Sequence, residues 1–143
     1  MRVLLSIKPE HVENIFNGSK KFEFRRRIFG RKDVNVVVVY ATKPVGKIVG
    51  EFDVDDVLAD TPDSIWDVTS SGSGISKSYF DNYFGGRDKA FALKIGKVRK
   101  YDRPVEPHEV IENFTPPQSY MYVCNLCASN GVSSDQFELF AAE

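Results

Sequence analysis

Between Gly18 and Arg27 the chain runs Gly-Ser-Lys-Lys-Phe-Glu-Phe-Arg-Arg-Arg, its densest cluster of groups able to do chemistry. On a strand, alternate side chains face opposite ways. Lys21, Glu23 and Arg25 then share one face, and Phe22 and Phe24 the other. Arginine offers a planar fork of donors that suits phosphate, and lysine a mobile point charge. Glu23, set between cations, is expected to stay ionised and to orient Arg25. The pattern fits an anionic or nucleic-acid ligand; a solvated strand edge guarded by charge has the same composition. Lys20 has the opposite parity to Glu23. It converges on Glu23 only from the turn after Gly18, before regular pleating begins.

Other candidates are sparser. Tyr40 ends an apolar run, as a core aromatic or as a site hydroxyl. Trp66, the single tryptophan, suits a helix face packed on the core or a platform for a base. Gln118-Ser119-Tyr120 follows Pro116-Pro117, which fixes its path for a plain turn or for reading a base edge. Cys124-x-x-Cys127 supplies half of a zinc site, and His11 and His108 lack the spacing of the other half. No thioredoxin-like pattern surrounds those thiols, so incidental cysteines are expected. Asp53, Asp55 and Asp56 lack the glycine and glutamate of a calcium loop. Gly72-x-Gly74 and Gly46-Lys47 lack the remainder of a dinucleotide loop and of a P-loop. No metal and no cofactor is expected.

The elements that must position these residues follow from local signals. A strand over Val3–Lys8 leads to Pro9, which suits a first helical turn. Val12, Ile15 and Phe16 then form a helical stripe that Asn17-Gly18 stops, although Lys8 is a poor N-cap. A second strand spans Lys20–Arg27. Val34–Ala41 is nearly all β-branched and fits a strand covered on both faces. Lys47–Asp55 follows as another strand. Thr61-Pro62 and Ser76 open two short helices around a flexible 70–74 loop, the second carrying Tyr79, Phe80, Tyr83 and Phe84. Lys89–Val98 is a strand, Glu109–Asn113 a short helix, Tyr120–Cys124 a last strand and Gln136–Phe140 a terminal helical turn. This order is not the alternation of a doubly wound sheet. It predicts an α+β fold, a mixed sheet of about six strands curled into a small barrel with helices outside.

With 143 residues, 42% hydrophobic and 27% charged, the chain suits one compact domain over 1–143. Its longest apolar run, Val36 to Ala41, is far short of the ~20 residues that span a bilayer, so no membrane partner is expected. No signal-peptide pattern opens the sequence, and a cytoplasmic location is expected. The net charge of −1 predicts no polyanion partner. Its distribution says more: residues 1–50 hold eleven Lys and Arg against four Asp and Glu, a net +7, and the remainder nets −8. Either one face is basic, or the two halves interleave and their fields cancel.

Leu4-Leu5-Ser6-Ile7-Lys8-Pro9, a helix, and then Gly18-x-Lys20-x-x-Glu23-x-Arg25 resemble the opening of ASCH domains, of the PUA-like superfamily. The resemblance continues at Val39-Tyr40-Ala41-Thr42, at Ile48-Val49-Gly50-Glu51-Phe52, in Trp66, in Gly74-Ile75-Ser76 with the aromatic helix to Gly85, and in Pro116–Tyr120. It covers about 3–123 and leaves 124–143 as a C-terminal extension. It implies a six-stranded pseudo-barrel with a cleft at the Gly-x-Lys-x-x-Glu-x-Arg strand, binding RNA or a modified nucleoside. Lys20, Glu23 and Arg25 would form the floor, Lys8, Lys21 and Arg26 would hold phosphate, and Tyr40, Gln118 and Ser119 would line a base pocket. Two enzyme branches are alternatives. One removes acetyl from N4-acetylcytidine with a Lys and a Thr. Lys20 matches that Lys, but Glu23 stands at the Thr position, where it would serve as a base rather than a nucleophile. The other is linked to metal-independent RNA cleavage through Tyr, Lys and Ser, with Tyr40, Lys47 and Ser119 as counterparts. A protein-interaction or transcriptional coregulator module, using the acidic half, is the third reading.

Overall fold

The computed structural model describes residues 1–123. Strand β1 (Arg2–Ile7) leads into helix α1 (Pro9–Phe16), then β2 (Phe22–Arg25), β3 (Val36–Ala41) and β4 (Lys47–Asp60). Helices α2 (Pro62–Thr69) and α3 (Lys77–Tyr83) precede β5 (Ala90–Val105), α4 (Pro107–Val110) and β6 (Met121–Val123). No helix among the described residues is long and apolar enough to cross a membrane. The expected turn at Gln136–Phe140 and the Cys124/Cys127 pair lie outside the described residues.

Local signals account for most of these boundaries. Pro9 takes the first turn of α1, and Lys8 contributes no side-chain cap there. Gly18 leaves the helix at φ +87°, open to glycine without strain. Thr61 caps α2 by accepting from the Ser64 N–H, and Ser76 caps α3 through Tyr79 N–H. Strands β4 and β5 outrun their own apolar patterns because each extension pairs with the buried part of the other strand. Val57, Leu58 and Asp60 lie opposite the buried Leu93, Ala92 and Ala90, and Val105 lies opposite the buried Ile48.

The six strands form one mixed sheet in the order β2-β5-β4-β3-β1-β6. Neighbours are antiparallel except β1 and β3, which run parallel with Ser6 beside Tyr40. Three register shifts along the β4–β5 pair bend the sheet. The expected barrel is not closed: β2 and β6 remain edges with no backbone ladder between them. The side chain of Arg25 instead spans from β2 toward β1. Its Nη1 donates to Ser6 O at 3.3 Å and its Nη2 to Ser119 O at 2.7 Å.

Three apolar clusters hold this shape. Val3, Leu5, Ile7, Val37 and Val39 meet Val12 and Ile15 of α1 inside the curl. The alternate residues Leu4, Val38 and Tyr40 face the other way, under Val105, Ile111 and Phe114. Strand β3 is thus covered on both faces, as its composition predicts. Phe24, Ile65, Phe80 and Phe84 join β2 to α2 and α3.

Candidate active site in the gap of the sheet

Where the curled sheet fails to close, a cleft of about 320 Å³ opens between β1, α1, β2 and α3. Lys20 lies on its floor and is only 3% exposed. The residue sits in the turn after Gly18, before β2 begins, with its N–H bonded to Asn14 O at 2.9 Å. Its Nζ donates to Ser73 O at 3.0 Å and stands 4.8 Å from the centre of the Phe24 ring. Burial pushes the Lys20 pKa down, and the Glu23 carboxylate only partly opposes this. The amine is therefore more easily deprotonated than a surface lysine.

Glu23, 5% exposed, also lines the cleft, on the β2 face opposite Phe24. It accepts from Arg25 Nη1 at 3.2 Å, so the two residues orient each other. Lys20 and Glu23 share one cleft despite their opposite strand parity, because Lys20 belongs to the turn.

Gly74 sets the height of Lys20. It has φ +68°, and a Cβ built on it would stand 2.5 Å from Lys20 Cβ and 2.9 Å from Lys20 Cα. Gly74→Ala is expected to cost about 1–3 kcal/mol, from backbone strain and overpacking. It should also displace Lys20, weakening ligand binding beyond what the loss of stability explains. Urea unfolding together with a ligand titration checks this; parent-like affinity would refute the role assigned to Gly74.

His11 and Tyr79 complete the cleft. His11 Nε2 lies 3.0 Å from Tyr79 Oη, while His11 Nδ1 is buried without a partner among the described residues. Burial, and then the nearby Lys20 charge, lower the His11 pKa, so the ring is neutral at neutral pH. Sequence reasoning missed both residues. His11 stands alone beside the α1 apolar stripe, and Tyr79 merges with its aromatic neighbours on α3. Their meeting across 68 positions leaves no local signal.

The remaining expected residues divide. Lys8 is exposed at the rim, with Nζ 5.9 Å from the centre of the Tyr79 ring. Arg26 stacks over Tyr83 at 4.2 Å and donates from Nε to Tyr83 O at 2.8 Å. Gln118 lines the cleft as well. Ser119 contributes its carbonyl to Arg25 and lines the adjoining groove. Lys21 points away and packs against the 70–72 turn, with its N–H on Gly72 O at 2.7 Å. Tyr40 is 5% exposed, packs on Phe114 at 5.1 Å and does not line the cleft. Lys47 pairs with Glu106, also off the cleft. Trp66 packs half-buried on Phe80. No group of three or more His, Cys, Asp or Glu among the described residues is placed to hold a metal.

Chemically, the cleft offers a donor at Lys20, an acceptor at Glu23, a neutral imidazole and aromatic walls. Guanidinium groups stand at its mouth.

A family profile for the ASCH domain matches residues 5–99. The crystal structure of ASCH from Zymomonas mobilis superposes with a TM-score of 0.77 at 29% identity, covering 83% of this chain and 85% of that one. A protein of the same organism described as an ASCH domain-containing ribonuclease is 28% identical over 126 residues, covering 84% of this chain and 82% of the relative. Large ribosomal subunit protein uL22 of Ureaplasma parvum is 34% identical over 122 residues; the match takes in 85% of this chain and only 39% of that protein. With its open six-stranded sheet and short helices, the chain belongs to the ASCH domain family, with a PUA-like α+β fold.

Proposed function

We propose that the cleft binds a nucleotide of RNA, taking its base between aromatic walls and its phosphate at the basic mouth. One observation carries this reading: a buried Lys20 and a buried Glu23 stand together on the floor of a cleft walled by Tyr79 and Tyr83 and edged by Arg25 and Arg26. A buried donor beside a buried acceptor suits the edge of a base, since the Lys20 ammonium and the Glu23 carboxylate each have bonding capacity beyond their bonds to Ser73 O and Arg25. Tyrosine faces stack bases of any sequence. The similarity to a protein described as a ribonuclease supports RNA as the ligand class.

Titrating fluorescent single-stranded RNA at several salt concentrations tests the proposal. Affinity should fall linearly in log–log form as phosphate contacts are screened. Arg26→Glu should weaken binding about tenfold at low salt, roughly one strong charged contact. Absence of binding at low salt, or affinity indifferent to salt, would overturn the reading.

Metal-independent hydrolysis of RNA or of a modified nucleoside is a second reading. It rests on the gathering of Lys20, Glu23 and His11 in one cleft, where burial lowers the pKa of both Lys20 and His11 below their ordinary values. Products formed in the presence of a chelator, and lost in Lys20→Met, would establish turnover. Bound RNA that stays intact would leave binding alone.

A further inference from the structure

Beside the cleft lies a second groove of about 330 Å³, lined by Arg25, Arg26, Arg27 and Arg87 with Tyr83 and Ser119. We infer that this groove is a phosphodiester subsite, so that the ligand is an oligonucleotide strand rather than a free nucleoside. The inference rests on the cleft reading and extends it to the neighbouring nucleotide.

Among the described residues, four guanidinium groups and no carboxylate line the groove. Arg25 is met by Glu23 across the cleft wall. Arg26 spends its Nε on a carbonyl, which leaves its terminal nitrogens for a ligand. Arg27 and Arg87 are exposed and make no ion pair or side-chain hydrogen bond with any described residue. Arg2, Arg31 and Arg99, by contrast, each hold a carboxylate. Glu23 offsets Arg25, and Arg87 also borders a neighbouring pocket with Asp63 and Asp81, but the groove keeps an excess of positive charge that a polyanion relieves. The planar fork of arginine matches the paired oxygens of a phosphodiester.

Continuity selects a strand over separate ions. The groove and the cleft share Arg25, Arg26, Tyr83 and Gln118. A base seated over Lys20 and Glu23 therefore passes its backbone directly into the arginine groove. The Arg26 side chain is already fixed at that junction by its stacking on Tyr83.

The test uses the full chain and a fluorescent 2′-O-methyl oligouridylate, which resists cleavage through the 2′-hydroxyl. Its affinity is compared with that of uridine and with the salt dependence of the double variant Arg27→Gln/Arg87→Gln. The parent should bind the oligomer at least tenfold tighter than uridine. The double variant should lose about tenfold in oligomer affinity at low salt, and its log–log salt slope should shrink by about 1.4, the value for two contacts to a single strand. Both positions are exposed, so an unchanged thermal midpoint confirms that folding is intact. An unchanged slope with RNA still bound would overturn the groove while leaving the cleft reading intact. Equal binding of uridine and oligomer, or equal competition by a polyglutamate peptide, would also overturn it. Failure of the parent to bind RNA at any salt would remove the cleft reading and the groove together.

Discussion

Lys20→Met is expected to fold at least as stably as the parent chain at neutral pH while losing about 100-fold in affinity for the RNA ligand. The second figure follows from about 3 kcal/mol for a buried hydrogen bond to a charged group. The first follows from burial. Lys20 is 3% exposed, and desolvation lowers its pKa from 10.5 despite the nearby Glu23. Below its folded pKa the charge is carried into the interior at a cost. Between that pKa and 10.5 the unfolded chain binds the extra proton, so parent stability rises with pH across this window. Methionine has a straight chain of similar length and no charge, so its stability should lack that slope. Thermal unfolding across alkaline pH, paired with RNA titration, checks both halves. Destabilisation of the variant by more than about 2 kcal/mol would mean that the bond from Nζ to Ser73 O holds the fold, and that Lys20 is structural.

The contrast between what was legible and what was not follows the range of the interactions. Alternation placed Glu23 and Arg25 on the face opposite Phe22 and Phe24, and the structure has Phe24 in the core beside α3 with Glu23 in the cleft. Caps at Thr61 and Ser76 were legible because a cap is a contact three residues long. The bond partners of Arg25 were not, because Ser6 and Ser119 lie 19 and 94 positions away. That same distance hid the open sheet. Strand order and composition suit closure, yet a side chain occupies the gap where a backbone ladder would run. The full extents of β4 and β5 were hidden for another reason. Their outer halves are held by pairing with the buried part of the other strand, as Leu58 with Ala92 and Val105 with Ile48, and periodicity within one segment does not report such a partner. Arg87 joins Arg26 and Arg27 only through the packing of α3 on β2, which no spacing in sequence announces.

Glu51→Ala should be the most destabilising single substitution proposed here, at about 3 kcal/mol, because it strands charges that one buried carboxylate now serves. Glu51 is 6% exposed on β4. Its Oε1 accepts from Arg2 Nη1 and Tyr101 Oη, both at 2.8 Å, and its Oε2 accepts from Arg99 Nε at 2.8 Å. The network ties β1, β4 and β5 together across the sheet. Arg99 keeps Asp53 after the substitution, which holds the cost toward the lower end for a broken buried pair. Burial alone would raise the Glu51 pKa, but the Tyr101 hydroxyl and the two arginines outweigh it and set it below 4.5. The contribution of this carboxylate is therefore full above pH 4.5 and is lost as pH falls through its folded pKa. Glu51→Gln keeps a partner for Tyr101 but removes the charge. It should cost less than Ala and flatten the acid limb of the stability curve. Urea unfolding at neutral pH and below 4.5 measures both effects; a loss under about 1 kcal/mol for Ala would mean that water screens the network. Glu51 does not line the cleft, so RNA affinity per folded molecule should hold even as stability falls. Lys20 and Glu51 thus oppose each other physically. Both are buried and charged, but Glu51 is matched by three donors from its own fold, whereas Lys20 has one carbonyl and a carboxylate already engaged by Arg25. The charge that the fold leaves under-served is the one a ligand can complete.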